Sequence, residues 1–289
     1  MDAFTGVVTG AGGNVGVAVC RRLGERGASI LAVDVSDELA QRGAKACTDA
    51  GGKADAMAAD VSLESDVMAY ARRAIALWGQ AGFFFNNAGI EGVEAPLLSY
   101  PADAWDRVMG VNLRGVFLGL KAMAEPLRHA DFARVVNTAS VAGLAATPML
   151  AAYGASKHAV IGLTKTAAVE LAPYGIAVNA LCPGPIESAM MRRIETGVSP
   201  AKPDAAHVAY QQKIPMCRYA SLDEVAGLAV YLLLDSPIYL TGQAIALMAA
   251  WSRVDAGPPG RRTLALIRAI WTRSRSQSTV QVYPAVSIE

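Results

Sequence analysis

Tyr153 and Lys157 stand four residues apart, in the stretch S-V-A-G-L-A-A-T-P-M-L-A-A-Y-G-A-S-K from Ser140 to Lys157. If the pair lies in a helix, the two side chains share one face. An ammonium there stabilises a phenolate. A free tyrosine ionises near about pH 10, and each unit of downward shift takes roughly 1.4 kcal/mol of differential stabilisation. A tyrosine so poised takes a proton from an alcohol, or gives one to a ketone, near neutral pH. Ser140, at the end of the apolar run Ala133–Ala139, is then the hydroxyl that holds the reacting oxygen. Tyr and Lys at this spacing occur on many helices without function. The rest of the chain decides whether a site is built around them.

The elements that must position these groups follow in order along the chain. Phe4 to Thr9 reads as a short buried strand, leading into T-G-A-G-G-N-V-G (Thr9 to Gly16) and an amphipathic helix to about Arg26. Strand, glycine loop and helix together make a phosphate site. Glycines let the backbone approach a diphosphate, and the helix N-terminus offers free N–H groups and partial positive charge. The strict G-x-G-x-x-G spacing is not met, because the sixth position from Gly10 is Val15. A second strand, Ala28 to Val33, ends in Asp34, about twenty residues past the loop, where a carboxylate can accept from both ribose hydroxyls of an adenosine and repels a 2′-phosphate. The other use of Asp34, as a helix N-cap, is better served by Ser36 and Asp37.

Further strands are expected at Lys53–Ala59, Gly82–Phe85, Ala133–Ser140, Ile176–Cys182 and Ala244–Met248. Helices are expected at Asp37–Ala50, Ser62–Trp78 (opened by Ser62), Ala102–Arg128, Leu150–Tyr174 and, from the capping box Ser221–Glu224, to about Asp235. Residues 186–213 read as irregular and partly helical. Strands alternating with helices of more than ten residues give right-handed βαβ units and a parallel sheet covered on both faces. Ligands bind such sheets at the carboxyl ends of the strands. Thr9-Gly10, Asp34, Asp60, Asn86–Gly89, Ser140 and Pro183-Gly184 all fall there.

Composition narrows the classes. The chain has 289 residues and a formal net charge of +1, which argues against a general nucleic-acid or membrane-surface partner. Cys20, Cys47, Cys182 and Cys217 are scattered, without a C-x-x-C pair, as expected of free thiols in a reducing cytoplasm. His129, His158 and His207 lack spaced partners, so no metal site is expected. The N-terminus reads straight into a strand without a signal-peptide pattern. The longest apolar run, Leu228–Leu234, is far short of the roughly 20 residues of a membrane span.

The order T-G-(x)3-N-x-G, Asp at the second strand end, D-V, N-N-A-G, N, S, Y-x-x-x-K, P-G resembles the short-chain dehydrogenase/reductase family over about Thr5 to Trp251. The resemblance implies an α/β fold, a doubly wound seven-stranded parallel sheet (Rossmann fold) with helices on both faces, in a single domain 1–251. It implies an NAD-dependent oxidoreductase transferring a hydride between a secondary alcohol or ketone and the nicotinamide. Position by position, it assigns the nucleotide loop to Gly10, Gly12, Asn14, Val15 and Gly16. Asn14 replaces the family's middle glycine and is expected to tolerate a left-handed backbone there. Asp34 matches the marker for NAD over NADP, Asp60 and Val61 the pair flanking the adenine, and Asn87, Ala88 and Gly89 the turn lining the cofactor. The catalytic set is Asn112, Ser140, Tyr153 and Lys157. It implies Tyr153 as acid/base, Ser140 bonding the substrate oxygen, Lys157 binding the nicotinamide ribose and lowering the tyrosine's pKa, and Asn112 holding a relay water. Pro183, Gly184 and Ile186 match the nicotinamide cover, and Ser188 the carboxamide contact.

The expected pocket walls are Ala142, Leu144, Met149, Met190, Met191 and Ile194, with Glu91 and Glu94 near the rim. They suit a mostly apolar alcohol or ketone, cyclic and aromatic ones included. Arg192 and Arg193 read as a solvated lid face. Alternatives are a 3-oxoacyl-thioester or steroid-type ketoreductase and, from another class, a non-catalytic NAD-binding regulator. Tyr174 before Gly175, where acyl-carrier-protein ketoreductases carry a basic residue, speaks against the thioester reading. Family members commonly pair through the two long helices, so a homo-oligomer (tetramer or dimer) is expected. Residues 252–289, with six arginines against Asp255 and Glu289, match nothing in the pattern and read as a basic extension without catalytic function.

Overall fold

Parallel strands buried on both faces should be near-continuous apolar runs, and V-V in the first strand, I-L-A-V in the second and F-F-F in the fourth meet that requirement. A computed structural model of the chain describes residues 4–131, 133–199 and 201–249, all within the unit Met1–Ala250. The expectations for the basic extension fall outside the described residues. Seven strands form one parallel sheet: β1 (Thr5–Thr9), β2 (Ser29–Asp34), β3 (Lys53–Ala58), β4 (Phe83–Asn86), β5 (Ala133–Thr138), β6 (Ile176–Pro183) and β7 (Ala244–Leu247). Their order is β3-β2-β1-β4-β5-β6-β7. The chain runs outward from β1 to β3, returns to β4 on the other side of β1, and continues to β7. The carboxyl ends of β1 and β4 are therefore the topological switch point, where a crevice opens.

Alternate strand residues feed opposite layers, as a period of two demands. Val7, Leu31 and Phe84 join one apolar cluster with Tyr70, Met123, Leu127 and Val160. Val8, Ile30, Phe83 and Phe85 join the other, with Leu23, Cys47 and Val225. The first layer is made by α3 (Glu64–Trp78), α5 (Gly115–Leu127) and α6 (Ala151–Leu171), the second by α1 (Asn14–Glu25), α2 (Asp37–Asp49) and α9 (Leu222–Val230). Ser221 and Glu224 form the expected capping box on α9.

Three expectations are corrected. The long helix over 102–128 is three segments: α4 (Ala102–Met109), a π-helical turn Gly110–Arg114 closed by Gly115 N–H to Gly110 O, and α5. Hydrophobic periodicity does not register one extra residue in a turn. Ser62 does not cap α3; its N–H and hydroxyl both donate to Asp60 (2.8 and 2.7 Å), and Leu63 is the N-cap residue. The helix entering at Leu150 ends as α-helix at Leu171 and tightens to a 3₁₀ turn, Ala172–Tyr174, before Gly175 turns at φ +73°. Residues 186–213 are partly helical as expected, the helices being α7 (Ala189–Val198) and α8 (Pro203–Gln212).

Candidate active site

The loop after β1 turns at Gly10, whose φ of +63° and close approach to Ala88 exclude a side chain: an added Cβ would lie 2.9 Å from the Ala88 Cα. Gly12 and Gly16 are equally constrained, a Cβ meeting the Leu39 carbonyl at 2.4 Å and the Gly10 carbonyl at 2.0 Å respectively. Asn14 is different. It is the first residue of α1, and positive φ outside glycine occurs among the described residues only at Met149 and Cys217. The expected left-handed Asn14 is thus corrected: the chain has already turned at Gly10, so position 14 needs only helical dihedrals. Val15 packs half-buried against the second apolar layer. α1 has Gly13 as N-cap, no side-chain cap and no acid in its first turn. Its first N–H groups are left for an anion, as a helix N-terminus favours.

At the end of β2, Asp34 accepts from the N–H of Gly12 (Oδ2, 2.8 Å) and of Val35 (Oδ1, 2.8 Å). These bonds fix the carboxylate against the loop with lone pairs remaining on each oxygen. No cation pairs with it among the described residues. Ser36 caps α2, so capping is not the role of Asp34. At the end of β3, Asp60 is held by Ser62 and by its own N–H to Asp66 (3.0 Å), while Val61 is buried against Gly115.

The Asn87–Gly89 turn is stitched to β1 and β5. Thr9 Oγ accepts from the N–H groups of Asn87 (2.9 Å) and Ala88 (3.2 Å). Asn87 Nδ2 donates to the carbonyls of Thr9 and Gly10, and Thr138 Oγ donates to Asn87 Oδ1 (3.0 Å). Gly89 keeps a space open: a Cβ there would stand 3.4 Å from Lys157 Nζ and 3.3 Å from Asn112 Oδ1.

Lys157 and Asn112 border that space, Tyr153 lies beside Lys157, and Ser140 beside Tyr153. The first two turns of α6 present Tyr153 and Lys157 on one face, and Lys157 Nζ lies 5.6 Å from the Tyr153 ring centroid. Lys157 is buried and donates to the Thr138 carbonyl (2.7 Å). Ser140 Oγ accepts from Ala142 N–H (3.1 Å) and donates to the Pro183 carbonyl (3.5 Å). Asn112, fully buried in the π turn, bonds both main-chain groups of Ile90 at 2.8 Å and donates to Ser156 Oγ at 3.1 Å.

The electrostatics correct one expectation. Burial pushes the Tyr153 phenol up; the Ser140 hydroxyl opposes this, and the charge of Glu91 adds to it. Burial also pushes the Lys157 ammonium down, to about 8. In the ligand-free protein desolvation therefore outweighs the Ser140 hydrogen bond, and the net shift is upward.

Pro183 ends β6, Gly184 N–H donates to Leu247 O of β7 (2.9 Å), and Ile186 bridges to Ala220. Ser188 caps α7 by accepting from Met191 N–H (3.2 Å) and keeps its own proton to donate. Arg193 pairs with Glu91, and Arg192 with Glu195 and Asp204, so the two arginines, both still more than half exposed as expected of a solvated face, also tie α7 to its neighbours. Met149, on the loop before Tyr153, holds φ +69° while its carbonyl accepts from Ala95 N–H (2.9 Å). Thr138 and Ser156 carried no sequence motif of their own. They emerge only as partners of the motif residues.

Taken together, uncapped N–H groups at α1, a carboxylate at β2 and a glycine-lined gap beside Lys157 fit a dinucleotide laid across the strand ends. A hydroxyl, a phenol and an ammonium converge where its reactive end would lie. Among the described residues no group of three or more His, Cys, Asp or Glu could hold a metal, and no helix is long and apolar enough to cross a membrane.

Residues 10–248 match the family model described as enoyl-(acyl carrier protein) reductase. Levodione reductase of Leifsonia aquatica is 37% identical over 241 residues, covering 83% of this chain and 90% of that protein. The 2,5-dichloro-2,5-cyclohexadiene-1,4-diol dehydrogenase of Sphingobium indicum is 34% identical, covering 85% and 96%. The crystal structure of NAD⁺-bound xylitol dehydrogenase superimposes with a TM-score of 0.81 at 36% identity, covering 85% of this chain and 98% of that one.

Proposed function

The chain belongs to the short-chain dehydrogenase/reductase family, and from that premise we propose how its own residues divide the work of the reaction. The protein is a nicotinamide-dependent oxidoreductase that interconverts alcohols and ketones. In our reading the cofactor is NAD, held by Gly10, Gly12, Asn14, Val15 and Gly16 at the diphosphate, Asp34 at the adenosine ribose, and Asp60, Val61 and Asn87–Gly89 along the groove. Pro183, Gly184, Ile186 and Ser188 cover its reactive end. When bound, a nicotinamide would supply the hydride chemistry at the carbinol or carbonyl carbon.

Tyr153 exchanges the proton with the substrate oxygen, and Ser140 donates to that oxygen and fixes its position. Lys157 reaches the nicotinamide ribose and steadies negative charge on the phenol as it develops. Asn112 anchors the Ile90 loop through its side chain. A water serving proton relay would sit on its main-chain carbonyl or its remaining Oδ1 lone pair. The observation that carries the reading is that Lys157 and Asn112 border the gap at Gly89 while the Tyr153 ring lies 5.6 Å from Lys157 Nζ.

The substrate in this reading is a mostly apolar, cyclic alcohol or ketone. The flexible thioethers around α7 and the relative named for a cyclohexadiene diol support it. Exposed Trp105, Phe117 and Val169 on the α4–α6 layer support a homo-oligomer paired through those helices. Free thiols support a cytoplasmic setting. Purified protein incubated with NAD and a panel of secondary, cyclic and aromatic alcohols is expected to form NADH, read at 340 nm, best with cyclic secondary alcohols. No turnover on any of them would favour a binding protein without catalysis.

A further inference from the structure

Asn14 Oδ1 accepts a hydrogen bond at 3.3 Å from the N–H of Ala189, the first residue of α7 and 175 positions further along the chain. A helix leaves its first N–H groups without intrahelical partners. In α7 the Ser188 hydroxyl takes the one on Met191, and Asn14 takes the one on Ala189. The start of α7 is thus held partly from another element. β1, which feeds Asn14, and β6, which feeds α7, are separated in the sheet by β4 and β5. The bond therefore joins the two sides of the groove whose floor is the Asn87–Gly89 turn and Ser140. Among the described residues it is the single hydrogen bond or ion pair between residues 9–16 and 184–199. A glycine at position 14 has no side chain with which to make it.

We propose that Asn14 and the Ala189 N–H form a latch across the nucleotide groove, with Asn14 as a positioning residue that sets how fast cofactor is released. The proposal rests on the reading of Thr9–Gly16 and Pro183–Ser188 as the cofactor's walls. Closed, the latch holds the first turn of α7 over the groove. The groove releases a dinucleotide only after the latch opens. A neutral hydrogen bond of this kind changes an opening equilibrium by roughly two- to tenfold.

Two substitutions remove the bond from opposite ends. Asn14→Ala deletes the acceptor. Ala189→Pro deletes the donor where proline is tolerated, because the first helical residue needs no N–H and Ser188 before it is extended at φ −152°, ψ 158°. NADH dissociation is followed by stopped-flow displacement, and amide exchange at 189–191 is followed in the cofactor-free protein. Each single variant is expected to speed dissociation about three- to tenfold, with the double variant no faster than either single. Asn14→Ala is expected to speed exchange at Ala189 by a similar factor. Unchanged dissociation in both singles, or effects that multiply in the double variant, would overturn the latch while leaving cofactor binding intact. Failure of the unsubstituted protein to bind NADH would remove the cofactor reading and the latch together.

Discussion

Replacing Tyr153 by Phe is expected to lower turnover by at least about a thousandfold, within the range typical of a lost general acid–base, while NADH affinity changes by less than about threefold. The phenol oxygen is the only atom removed. Tyr153 enters from the first turn of α6, and neither the ring's place nor the Lys157–Thr138 bond depends on that oxygen. A loss of turnover without a loss of binding is therefore the signature of a missing proton. Fluorescence titration with NADH and steady-state rates on one active alcohol provide both numbers, and retained turnover would remove Tyr153 as acid/base. The pH dependence has a definite sign. Burial raises the phenol's pKa, so the protonated form prevails at neutral pH and is ready to donate to a ketone. Alcohol oxidation needs the deprotonated form and should rise with pH over the alkaline range, whereas ketone reduction should fall over the same range. Both limbs should disappear in the Phe variant.

The second large effect concerns the cofactor. NADH is expected to bind at least about a hundredfold more tightly than NADPH, a difference of about 2.7 kcal/mol. Two full charges about 4 Å apart near a protein surface interact by roughly 4 kcal/mol. Asp34 is anchored by Gly12 and Val35 and has no cation paired with it among the described residues, so it cannot turn away from a 2′-phosphate at low cost. Asp34→Ser combined with Val35→Arg should reverse the preference. Serine keeps an acceptor for the Gly12 N–H, and the exposed Val35 position can carry a guanidinium. Equal affinities for the two cofactors in the unsubstituted protein would remove Asp34 as the discriminating group.

Much of the fold was readable because a parallel sheet writes itself plainly. Strands buried on both faces, such as Phe83–Asn86, cannot be mistaken for amphipathic ones, and each is punctuated at its carboxyl end by the polar residues that make the site. The motif residues were readable for the same reason: a glycine that must clear a neighbour's backbone, like Gly16 against Gly10, has no substitute. Other features depend on contacts that sequence does not display. The π turn around Asn112 adds one residue to a helix without changing its apolar stripe. Helix α7 is fixed by Glu91 and Asn14, one hundred or more positions away. Ser62 looks like a cap by its position, yet Asp60 binds it first. The direction of the Tyr153 shift turns on burial set against the Ser140 hydrogen bond, and burial is a property of the folded chain alone.

The most direct test of the account is the fate of the hydride. The protein is supplied with NADH deuterated at C4 on both faces and a cyclic ketone that it reduces, and the alcohol is analysed by mass spectrometry. One deuterium on the carbinol carbon of every product molecule is the predicted result. Product that carries none would contradict direct transfer between the nicotinamide and the substrate carbon.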